Sequence, residues 1–167
     1  MAHRVLFPFA MRRRGWRPGL ACLRAALFCF CLPAAGADAA PVSFADRLAA
    51  CAFRHPVTTI KRLADLPPAI RAALAERGAM AEAGGNFNAT DVISLKDPVP
   101  RTRFMRAGQW QKLVYVWYEA GGIALFHRLA VYRLKDDGSA QPITDLMDDG
   151  HDPCALTDAA LDADGKP

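Results

Sequence analysis

The chain has 167 residues, five of them cysteine, and carries 21 Lys+Arg against 17 Asp+Glu for a formal net charge of +4. Six of those arginines and one aspartate fall within residues 1–39, which leaves 15 basic and 16 acidic residues in the remainder, a net charge of about −1 by whole-residue count. A near-neutral remainder excludes nucleic acid and anionic membrane as partners drawn by charge.

Taken in chain order, the first feature is an export signal. Arg4, Arg12, Arg13, Arg14, Arg17 and Arg24 precede the apolar run AALFCFCL at 25–32, and small residues follow. Positive, apolar and small-residue regions in that order read as a secretory signal peptide over 1–39. The run falls short of the roughly 20 residues of a permanent membrane helix, so no permanent membrane anchor is expected. Ala37 and Ala39 set the expected cleavage after Ala39; Ala35 and Ala37 give a second choice, and Met11 offers an alternative start. The expected location is periplasmic or secreted, with residues 40–167 as a single domain.

Cys22, Cys29 and Cys31 leave with the signal, and Cys51 and Cys154 remain. In an oxidising compartment an isolated pair is most simply a disulfide. Two buried free thiols are the alternative.

The first half of the domain reads helical. Ser43 is a capping residue, and Phe44, Leu48 and Cys51 fall on one stripe. Residues 55–60, HPVTTI, interrupt that helix. A second helix spans 66–78, with Pro67 and Pro68 in its first turn, Leu66, Ile70 and Leu74 as its stripe, and Gly78 as its stop. Residues 79–100 read as loop. The period then changes to that of strands: 101–106, a turn at 107–109, the β-branched and aromatic run 111–119, a turn at 120–122, a long strand 123–134, and a fourth strand at 140–146. Gly138 turns the last hairpin. The tail from 158 to 167 is expected to fray. The fold class is therefore α+β, with N-terminal helices packed on a four-stranded antiparallel β-meander.

Apolar residues occupy both faces of the central strand, with Leu113, Tyr115 and Trp117 on one side and Val114, Val116 and Tyr118 on the other. A sheet with one wet face alternates more cleanly. A homodimer through the second face and a ligand cavity inside a curved sheet both explain the pattern.

Leu66-Pro67, Phe87 to Asp91, Arg103-Phe104 and Tyr118 to Gly122 together resemble a family of small exported proteobacterial proteins of uncharacterised function. The resemblance covers residues 66–127. It implies an exported domain and transfers no activity and no catalytic residue.

Candidate chemistry is sparse. His127 and Glu119 are the catalytic candidates, as a histidine and a carboxylate bracketing one hairpin; the ordinary roles are a core histidine and a solvated or turn-fixing glutamate. Tyr115 and Trp117 would line a pocket with His127. Asn88, Thr90 and Asp91 form either a capping turn or a polar lip that orients a ligand. Arg103, sharing a face with Arg101 and opposed to Arg106, could grip a carboxylate or phosphate. The acidic stretch 145–152 departs from a calcium loop at Met147 and Leu156, so no metal is expected. No cofactor motif and no G-x-S-x-G, H-E-x-x-H or C-x-x-C is present. Two functions follow as expectations. One is a non-enzymatic protein-binding module in the cell envelope, such as an inhibitor of an envelope hydrolase. The other is a small-molecule binder or minor enzyme with its pocket on the sheet near Trp117 and His127.

Overall fold

The computed structural model describes residues 41–92 and 99–164, so the expected signal peptide and the last three residues lie outside it. In chain order the elements are α1 (Phe44–Ala49), β1 (Thr58–Ile60), a single 3-10 turn (Leu63–Asp65), α2 (Pro68–Ala75), β2 (Met80–Ala81), β3 (Thr102–Trp110), β4 (Leu113–Ala120), β5 (Phe126–Leu134), β6 (Ala140–Met147) and α3 (Pro153–Asp164). The strands form one six-stranded sheet in the order β1-β3-β4-β5-β6, antiparallel throughout except that β2 runs parallel to β3. Helices on a mainly antiparallel sheet make this an α+β fold.

Local chemistry sets the helices. Ser43 Oγ accepts the Asp46 N–H at 3.1 Å and so caps α1. Pro68 opens α2, where a missing N–H does no harm, and Gly78 with φ +121° turns the chain after it. In α3, Pro153 again takes the first position, and the Asp152 carboxylate accepts the Cys154 N–H at 3.1 Å.

Both faces of the sheet are covered, each for its own reason. On one face Leu66, just before α2, and Ile70 and Leu74 from α2 pack on Phe104, Val114, Val116 and Tyr132. On the other, Phe44 and Leu48 from α1 and Ala160 and Leu161 from α3 pack on Tyr115, Trp117, Leu129 and Val131. The fully buried Leu161 alone contributes roughly 1.5–3 kcal/mol of hydrophobic burial. The Trp117 indole N–H donates to Thr157 Oγ1 at 2.9 Å, and that hydroxyl donates in turn to the Pro153 carbonyl at 2.7 Å. Cys51 and Cys154 are joined by a disulfide, with Cα atoms 5.3 Å apart, which ties the end of α1 to the first turn of α3.

Four sequence expectations need correction. The sheet has six strands rather than four, because residues 58–60 and 80–81 pair along the outer edge of β3. Residues 107–109 are strand and not turn. Gly108 is needed there because a Cβ would lie 2.6 Å from a ring carbon of Tyr115 and 2.4 Å from Val57. The hairpin instead closes at Gln111 and Lys112, with Gln111 at φ +54°. The returning strand starts at Phe126, so 121–125 form a longer loop with Ile123 96% exposed. Finally, the tail does not fray through Asp164, and the helices are not confined to the N-terminal half. The buried stripe of α3 includes Thr157 and Asp158, polar residues that mask its helical period.

Candidate functional site

At one end of the sheet three charged or polar side chains lie side by side across three strands. Arg103 on β3 pairs in register with Glu119 on β4, and Glu119 pairs with His127 on β5. Arg103 Nε donates to Glu119 Oε2 at 2.6 Å, and its guanidinium lies 4.2 Å over the Phe87 ring. The Glu119 side chain is 8% exposed, so this ion pair sits at the lip of the core with its carboxylate largely out of water. His127 Nε2 is 3.8 Å from Glu119 Oε1, too long for a hydrogen bond. The imidazole stacks on Phe44, ring centroids 3.8 Å apart and planes 7° from parallel. Burial pushes the His127 pKa below its usual value, against an opposing pull from Glu119, and so favours the neutral ring. Glu119 is committed to a guanidinium and His127 to an aromatic ring; the two do not form a hydrogen-bonded proton-transfer pair.

A cleft of about 690 Å³ opens beside this row, between α1 and the outer edge of β3. Ala45, Leu48 and Ala49 of α1 form one wall, and Thr59 and Lys61 flank it. Ala83 and Gly84 close the far end; Glu82, whose carboxylate accepts the Leu63 and Ala64 N–H groups at 2.8 and 3.1 Å, pins that segment. The floor is residues 103–106 of β3 with Glu119 behind. Arg106 spans the cleft to hold α1: its guanidinium donates to the carbonyls of Leu48 and Ala49, the latter at 3.0 Å, and to Thr59 Oγ1 at 3.2 Å. A cation on the last carbonyls of a helix is favourable on dipole grounds as well.

The placement of Arg106 corrects the sequence reading, which opposed it to Arg103. A bulge between Phe104 and Arg106 leaves Met105 without a partner on β4 and returns Arg106 to the face of Arg103. Adjacent Phe104 and Met105, breaking the alternation of the strand, were the signal for it.

Tyr115 and Trp117 do not line this cleft. Both are fully buried under α1 and α3, and the second face that suggested a homodimer is covered by those same helices. The Tyr115 hydroxyl is buried without a hydrogen-bond partner among the described residues, and desolvation raises its pKa to about 12. Asn88 and Thr90 are used in a local turn: Asn88 Oδ1 accepts the Thr90 N–H and O–H at 3.0 and 2.9 Å. That turn packs on Gly121, where a Cβ would come within 2.0 Å of the Asn88 carbonyl oxygen. Asp91 is exposed, and its backbone carbonyl accepts from Arg101 at 3.3 Å. The Phe87–Asp91 stretch thus meets Gly121, and Phe87 and Glu119 both contact Arg103. In the acidic stretch, Asp145 bonds Arg128 at 3.0 Å and Tyr118 at 3.0 Å and also contacts Arg77, a charge network on the other face of the sheet.

Fold and cleft define a class: a disulfide-stapled α+β domain with an open cleft at the edge of its sheet. Compared with known protein families, curated proteins and solved structures, the chain matches none. Among the described residues no helix is long and apolar enough to cross a membrane.

Proposed function

We propose that this is an exported, non-enzymatic binding module of the cell envelope, and that its ligand enters the cleft between α1 and β3. The observation that carries the reading is the cleft itself, with small and apolar walls and the side chains of Lys61, Arg103, Arg106 and Glu119 converging on it. Its volume lies in the usual small-ligand range of roughly 300–1,000 Å³. A binding role is favoured over catalysis because Glu119 is neutralised by Arg103 and His127 lies flat on Phe44. The Cys51–Cys154 disulfide and the signal-like residues 1–39 support export to the periplasm or beyond. The resemblance to small exported proteobacterial proteins is in keeping with that address.

The test is native mass spectrometry on protein recovered from the periplasm, beside an Ala45→Phe variant. Ala45 is exposed on the cleft side of α1, so a phenyl ring there fills the cleft without entering the core. The expected result is an added mass on the wild type that the variant lacks. The same added mass on both, or on neither, counts against the reading. A second reading, capture of a protein partner, is favoured by the apolar tip of the β4–β5 loop. Ile123, Leu125 and Phe126 are exposed there, with Met147 on the adjacent strand. Retention of a partner by Ala45→Phe and its loss in Ile123→Ser would select that alternative.

A further inference from the structure

We infer that the cleft takes a short peptide with a free C-terminal carboxylate, an inference that rests on the cleft reading above. The first support is a gap in the sheet. β4 runs along one edge of β3, so β1 and β2 share the other; β1 pairs with residues 107–109 and β2 with 102–103. Among the described residues, Phe104, Met105 and Arg106 therefore have no neighbouring strand on the cleft side, and Met105, in the bulge, has no register partner on either side. An exposed strand edge offers alternating N–H and C=O groups, and an extended peptide is the ligand that answers them in kind. A plain acyl chain would leave them unanswered.

The second support is charge. Among the described residues three cations, Lys61, Arg103 and Arg106, face the cleft against one carboxylate, Glu119. Arg103 is engaged by Glu119 and Arg106 by the α1 carbonyls, whereas Lys61 forms no ion pair among the described residues. The net positive balance suits a single anionic end group, and Lys61 is the cation left to meet it. The third support is size. Ala45, Ala49, Ala83 and Gly84 line it with small side chains, which leaves a peptide backbone room to approach β3.

The experiment is a titration of the ¹⁵N-labelled exported protein with N-acetyl-trialanine, its C-terminal amide and octanoate. The free acid should shift the amide signals of Phe104, Met105 and Arg106. The C-terminal amide should bind about tenfold more weakly, as loss of a charge-assisted bond implies. Lys61→Ala should weaken the acid by about threefold and leave the amide unchanged, in line with an exposed charge pair. Equal binding of acid and amide overturns the inference. Shifts from octanoate without shifts from the peptide reject the peptide and retain the cleft as a binding site. Peptide binding that persists in Ala45→Phe, or shifts confined to residues outside the cleft, rejects both.

Discussion

Removal of the disulfide by the double change Cys51→Ala and Cys154→Ala has a magnitude that follows from topology. The bond spans a sequence separation of 103 residues. In the chain-entropy model a loop of that size withholds about 16 cal/mol/K from the unfolded chain, or about 4.7 kcal/mol at 25 °C. With an unfolding entropy of about 2.1 cal/mol/K per residue, a domain of this size should lose about 15–20 °C in Tm. The position of the bond adds to the expectation. It joins a six-residue helix, too short to persist alone, to the start of α3, and both cover Trp117. Denaturant unfolding followed by circular dichroism, without reductant, measures the effect. The variant should unfold at lower denaturant and with a larger m-value, since its unfolded state is less compact. A loss under about 1 kcal/mol with an unchanged m-value would refute the reasoning, because the crosslink would then not be restricting the unfolded chain.

Three further predictions concern single side chains. Gly121→Ala should cost about 2–3 kcal/mol, since the added carbon meets the Asn88 backbone, while Gly122→Ala, open on all sides, should stay within about 0.5 kcal/mol; parallel thermal melts compare them. Tyr115→Phe removes a buried hydroxyl that has no partner among the described residues, so its stability should be unchanged or raised by up to about 1 kcal/mol in the same assay. For His127 the folded-state pKa lies below the ordinary 6.5 through burial, so the unfolded chain takes up the proton first. Its contribution is complete above about pH 6.5 and is lost as pH falls towards the folded-state pKa. The stability difference between wild type and His127→Gln should therefore shrink between pH 7 and pH 5, as measured by urea titrations at each pH.

The elements that could be read from residues were those whose burial is apolar and periodic. Ile70 and Leu74 announce α2, and the run from Leu113 to Trp117 announces β4. The disulfide follows from there being one pair of cysteines beyond the expected signal. What escaped was burial by polar groups. Asp158 takes two bonds from the Arg54 backbone N–H, at 3.1 and 3.2 Å, and Thr157 serves Trp117. A stripe built from such residues has no hydrophobic period to detect, so α3 passed for a tail. Without α3 one sheet face has no cover, which is why the sequence suggests either a homodimer or a pocket at Tyr115 and Trp117. The cleft escaped for a different reason: it is made by a bulge at Met105 and by the gap between two very short strands. Those depend on pairing across the sheet and not on any local pattern. The sequence draws attention to Arg103 and Glu119 separately, but their partnership depends on the register of β3 on β4.

The most direct test of the central claim, that the cleft is the binding site, is hydrogen–deuterium exchange on the natively isolated protein. Protein as isolated from cells is compared with the same protein after unfolding and refolding without reductant, which strips any ligand and keeps the disulfide. The account predicts slower exchange in residues 103–106 and 45–49 of the untreated sample, with the rest of the sheet unchanged. Identical exchange in both samples, or protection confined to the loop around Ile123, would contradict it.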